Sequence, residues 1–124
     1  MPSYLLRLTD DRVTPPKDHY FLWSTIIDAP TAVFDDLEDL KTSMTEAYGP
    51  SSVSNDRIDR LLSKGTSSYH RETPDQIVSC NRAGLDETRL SVHQLIDVFV
   101  HDMPNVHGEI YVPETDTWIT YAPQ

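Results

Sequence analysis

The sequence predicts an α+β domain. An antiparallel sheet comes from an N-terminal and a C-terminal hairpin, with about four helices inserted between them and packed on one face. Three observations carry this. Residues 20–27, Tyr-Phe-Leu-Trp-Ser-Thr-Ile-Ile, are aromatic and β-branched on both alternating sides, as in a central strand covered on both faces. Helical spacing and capping residues then recur from Phe34 to Met103, and strand patterning returns only after Pro104. The 124 residues make one domain by size.

In order, residues 3–9 set Tyr4, Leu6 and Leu8 against Leu5, Arg7 and Thr9 and read as the first strand. Residues 10–18, with Pro15-Pro16, form a long loop closing a hairpin onto the central strand. Asp28-Ala29-Pro30 stops that strand, because proline cannot donate to a ladder. A helix follows, with Phe34, Leu37, Leu40, Met44, Ala47 and Tyr48 on one side. Asp35, Glu38, Asp39, Thr42 and Glu46 lie on the other side, and Gly49-Pro50 ends it.

A second helix spans residues 55–64, with Ile58, Leu61 and Leu62 inward and Gly65 as its stop. Residues 66–69 are irregular. Thr73-Pro74-Asp75-Gln76 starts a third helix that runs to about Arg82 and closes at Gly84. Ser91 and Gln94 form a capping box with Leu90 and Leu95 as its hydrophobic staple. Val92, Leu95, Ile96, Phe99 and Met103 face inward from this fourth helix, and Pro104 ends it. Residues 109–112 and 117–121 read as a hairpin around Pro113-Glu114-Thr115-Asp116.

Ten Lys and Arg stand against 20 Asp and Glu, a net charge of −10. Direct nucleic-acid binding is therefore not expected, since it needs a basic face. No apolar run reaches a membrane span, and the N-terminus lacks a secretory pattern. With one cysteine, Cys80, no disulfide framework or zinc pattern exists, which together point to the cytoplasm.

His93, Asp97 and His101 fall at i, i+4 and i+8 on one helical stripe. A metal-dependent enzyme or small hydrolase using them, or His107, is one alternative. The two histidines are about 12 Å apart along the helix axis, too far to share one ion, so a solvated stripe is the stronger reading. Cys80 lacks any nucleophile signature and reads as a small buried hydrophobe. There is no Gly-x-Ser-x-Gly elbow and no phosphate loop in a chain of four glycines, so neither a catalytic residue nor a cofactor is expected.

The acids Asp35, Glu38, Asp39 and Glu46, with Asp86 and Glu87, are the candidate partner-binding residues. As a DNA mimic the helical four are sparse, about one charge per 5 Å against 3.4 Å along a DNA strand. Residues 51–71 hold Arg57, Arg60, Lys64 and Arg71. They suit either intrachain ion pairs or docking onto the acidic helix of a second copy in a homodimer.

Tyr20-Phe21-Leu22-Trp23-Ser24-Thr25-Ile26-Ile27-Asp28-Ala29-Pro30 resembles a group of small uncharacterised proteins encoded by viruses of actinobacteria (actinobacteriophages). Glu46-Ala47-Tyr48-Gly49, Gly65-Thr66-Ser67-Ser68, Asn81-Arg82-Ala83-Gly84 and the Leu90-Ser91 helix start are similar to the same group. The resemblance covers roughly residues 3–100 and leaves out the final hairpin. It implies a viral accessory protein acting in the host cytoplasm by binding a host protein; the lack of a catalytic constellation makes that role non-enzymatic. A DNA-mimic inhibitor of a host defence or DNA-processing protein, and a minor virion component, are the alternatives.

Overall fold

Strand β2 (Lys17–Ser24) is the middle of three antiparallel strands, between β1 (Ser3–Asp10) and β3 (Ala29–Phe34). The computed structural model describes residues 3–68 and 73–122. The helices are α1 (Leu37–Tyr48), α2 (Asn55–Lys64), α3 (Pro74–Val78) and α4 (Val92–Phe99). Strands β4 (Glu109–Val112) and β5 (Thr117–Thr120) close the chain as a separate two-stranded sheet. The fold is α+β, with antiparallel sheets at both ends and four helices between.

The two-sided apolar pattern of β2 decides how the helices distribute. Leu5, Leu22 and Phe34 pack with Leu40, Met44, Ile58 and Leu61 of α1 and α2. Leu6, Leu8, Phe21 and Trp23 pack with Ile77 and Val78 of α3 and Leu95 and Ile96 of α4. The helices therefore divide between the two faces of the sheet rather than sharing one. A central strand that is apolar on both sides needs cover on both.

The central strand ends three residues earlier than its composition predicts. Ser24 Oγ accepts from the N–H groups of Ile26 (3.2 Å) and Ile27 (3.4 Å), and Asp28 takes φ 52°. The chain turns there, leaving Ile26 70% and Ile27 49% exposed. Pro30, expected to end a strand, instead lies inside β3. The register slips between Leu22 and Trp23, so that Ala32 faces Leu22 and Pro30 faces Trp23. Proline is tolerated at such an irregularity on an outer strand. Phe34 is thus the buried last residue of β3, and α1 starts only at Leu37, capped by Asp36 accepting from Asp39 N–H at 2.8 Å.

Buried Thr66, Ser67 and Ser68 run along the outer edge of β1. Arg7 N–H donates to Gly65 O at 2.8 Å, and Ser67 N–H to Leu5 O at 2.9 Å. Gly65 adopts φ 86° to end α2, and a side chain there would strike Pro74 at 2.6 Å. Tyr69 and Arg71 lie outside the described residues.

Helix α3 stops at Val78 rather than near Arg82, because Asn81 captures the chain beyond it. Its buried amide donates to Val78 O (2.6 Å) and Leu90 O (2.8 Å) and accepts from Leu90 N–H (2.9 Å) and Ala83 N–H (3.2 Å). Cys80, expected to be buried, is exposed. Helix α4 has the expected capping box at Ser91 and Gln94 but ends at Phe99; Met103 is exposed beyond it. The final hairpin joins the body through paired bonds between Arg89 and Glu109, 2.8 and 2.9 Å.

Candidate functional site

The β1–β2 loop folds down onto α4 and engages His93 and Asp97 of the predicted stripe, while His101 stays exposed. Arg12 lies between two carboxylates. Its Nε and Nη2 reach Asp10 at 3.0 and 3.2 Å, and its Nη1 and Nη2 reach Asp97 at 3.0 and 2.8 Å. Asp10, buried at the end of β1, also accepts from the Arg12 backbone N–H at 3.0 Å. These bonds pull the Asp10 carboxyl down to about 2 and hold Asp97 below the usual carboxylate range. The same pairing raises Arg12. His93 Nε2 meets Asp11 Oδ1 at 2.7 Å.

Asp10, Asp11 and His93 each bring one potential ligand atom within 4.8 Å of the others. That donor set suits a divalent cation in type. Asp10 is already gripped through both oxygens by Arg12, so an ion would have to displace a guanidinium. Asp97 is committed to the same arginine and His101 lies elsewhere, so the structure does not gather the predicted stripe around one point.

His101 instead faces His19, with ring centroids 6.1 Å apart and edge-to-face. His19 is 4% exposed, and burial, then the nearby Lys17 charge, lowers its pKa. The pair borders a cleft of about 250 Å3 that Asp10, Phe34, Asp35 and Val100 also line.

The candidate partner-binding acids fall into two groups. On α1, Glu38 is exposed near Lys41 (3.9 Å) and Glu46 is exposed at the far end. Asp39 is occupied locally, accepting from Asp35 N–H (2.9 Å) and Ser43 Oγ (3.1 Å). Asp86 and Glu87 sit on a turn beside the other core cluster, both at positive φ. Asp86 lies 3.3 Å from His107 Nδ1, and Glu87 lies 3.7 Å from Arg82. Because α1 covers the opposite sheet face, the fold does not merge the two groups. Of the basic residues, Arg57, Arg60 and Lys64 donate to main-chain carbonyls of Ser52, Ser67 and Ser68, at 2.9, 2.8 and 2.7 Å.

Three large apolar side chains of the final hairpin stand exposed. Ile110 pairs with Ile119 and Tyr111 with Trp118 across the strands. Tyr111 is 45%, Trp118 37% and Ile119 48% exposed, and neither core cluster includes them. The Arg89 guanidinium stacks 3.7 Å from the Trp118 ring, and Tyr111 hydrogen-bonds Asp116. Sequence reasoning placed this hairpin but assigned it no binding residues. The signal was there: apolar residues at every inner position of two strands too short to cover one another.

Chemically, a carboxylate held near pKa 2 and another locked to the same arginine are poor proton carriers at neutral pH, where a general base works best near pH 7. The cluster ties a loop to a helix. The hairpin presents exposed aromatic and aliphatic groups beside the exposed acids Glu114 and Asp116. Comparison with protein-family models, curated proteins and solved structures finds no match to this chain.

Proposed function

We propose that this chain is a non-enzymatic interaction protein that binds a protein partner, with the β4–β5 hairpin as the contact. The observation that carries the proposal is the exposed set Tyr111, Trp118 and Ile119 on a ribbon outside both core clusters. Aromatic anchors of this kind dominate binding energy at protein interfaces. β5 pairs only with β4 among the described residues, so its outer edge is free to accept a partner strand. Glu109, Glu114 and Asp116 frame the ribbon, which favours a partner with a basic rim around an apolar groove. The resemblance to proteins of actinobacterial viruses makes a host protein the class of partner to seek.

The test is affinity capture from actinobacterial lysate at physiological salt, comparing wild type with the double variant Trp118→Ala, Ile119→Asp. A protein enriched by wild type and lost with the folded double variant supports the proposal. Equal capture by both, or no enrichment at all, sinks it. A captured basic DNA-binding protein that duplex DNA competes away would turn the reading towards DNA mimicry.

A further inference from the structure

A second feature, independent of the hairpin, lies where β2, α1 and the start of α2 meet. Leu22, Met44 and Tyr48 wall a cleft of about 270 Å3, and Ser51, Ser52 and Arg57 line its polar part. That volume is close to the lower end of small-ligand pockets, about 300 Å3. Its apolar walls and single charged group match the usual make-up of such sites.

Arg57 is the informative residue. In a chain with twice as many acids as bases, it forms no ion pair among the described residues. Arg12, Lys41, Arg82 and Arg89 do; Arg7, Lys17 and Lys64 also lack one among the described residues, but of these unpaired cations only Arg57 lines the cleft. Its Nη1 is anchored on Ser52 O at 2.9 Å, which fixes the guanidinium plane. Nε and Nη2, the edge that takes a carboxylate side-on, have no acceptor among the described residues. Burial, and next the charge of Arg60, lower its pKa, so among the described residues this cation is held without an opposing carboxylate.

We propose that this cleft binds a small organic carboxylate, with the anion on the free edge of Arg57 and an aliphatic or aromatic body against Leu22, Met44 and Tyr48. A monoanion fits better than a phosphate dianion. One guanidinium supplies one charge, and the net charge of −10 opposes a second negative charge more strongly than a first.

The experiment is a titration of the full chain with octanoate, octanamide and inorganic phosphate, followed by amide chemical shifts. Octanoate should move signals of residues 44–57, and octanamide should bind about tenfold more weakly, as expected on losing a charge-assisted bond. Arg57→Gln should bring octanoate down to the octanamide level, and Arg57→Lys should fall between. Tyr48→Ala, at a half-exposed wall position, should weaken both ligands and keep their ratio. If Arg57→Gln does not fold, Arg57→Lys and Tyr48→Ala decide the matter. Equal binding of octanoate and octanamide, octanoate shifts confined to other residues, or a response to phosphate equal to that of octanoate would overturn the proposal.

Discussion

Arg12 and Asp97 stand 85 residues apart in the chain and meet side by side, through bonds of 2.8 and 3.0 Å. The arginine simultaneously holds Asp10. A loop between two strands is thereby tied to a helix that folds from the other half of the sequence. The pairing is bidentate on the Asp97 side, the geometry in which arginine is hardest to replace.

That tie should steepen the acid limb of stability. Asp10 has a folded pKa of about 2, below its ordinary 3.8, so the unfolded chain takes up the proton first. The stabilisation is complete above pH 4 and is lost as pH falls towards 2. Asp97 is depressed in the same direction. Urea midpoints measured from pH 7 to pH 2 should fall more steeply for wild type than for Asp10→Asn. Parallel curves would show that the pair does not contribute.

His19 acts in a higher window. Burial lowers its pKa, so the unfolded chain binds the proton more readily, and stability drains as pH falls through 6.5. His19→Gln should flatten the stability profile between pH 7 and pH 5 while leaving the limb below pH 4 in place. Imidazole titration by NMR would show His19 protonating below the ordinary histidine value of 6.5.

Asn81→Ala removes a side chain with four buried partners. Buried groups left without partners cost about 1–3 kcal/mol each, so a total loss of about 3 kcal/mol or more is expected by urea denaturation. Asn81→Asp should be at least as damaging, because it aims an acceptor at the Val78 and Leu90 carbonyls. A loss below about 1 kcal/mol would mean that water replaces the amide.

The end of β2 is testable by contrast. Trp23→Ala, at a fully buried site, should cost about 3–5 kcal/mol. Ile27→Ser, in the exposed turn, should fall within about 0.5 kcal/mol of wild type. Comparable losses would place Ile27 in the core after all.

Gly108→Ala should loosen the hairpin and leave the body folded. A methyl group there would lie 2.0 Å from Arg89 O, the acceptor that holds β4 to the rest of the chain. In a Trp23→Phe background, Trp118 fluorescence should shift towards that of solvated tryptophan. Far-UV circular dichroism should keep its helical signal. Loss of that signal as well would make the hairpin part of the folding unit.

Local rules along the chain found most elements because their signals are local. Ser91 and Gln94 form the box that their spacing predicts, and Gly65 ends α2 in the left-handed conformation that glycine permits. Residues 29–34 were illegible as a strand. Pro30 argues against one, and only the register slip opposite Leu22 and Trp23 accommodates it. Ile26 and Ile27 carry strand propensity but follow Ser24, whose hydroxyl captures their N–H groups and turns the chain.

The α+β class, the central position of β2 and the order of the helices are legible in the residues alone. Those follow from periodicity and caps, which depend on near neighbours. That helices cover both sheet faces and that the two hairpins belong to separate sheets emerges from the long-range packing. Folding alone brought Asp97 to Arg12 and left Arg57 without a carboxylate among the described residues. Such pairings depend on which distant segments share a surface, and the energy that selects them is spread over the packing of whole faces.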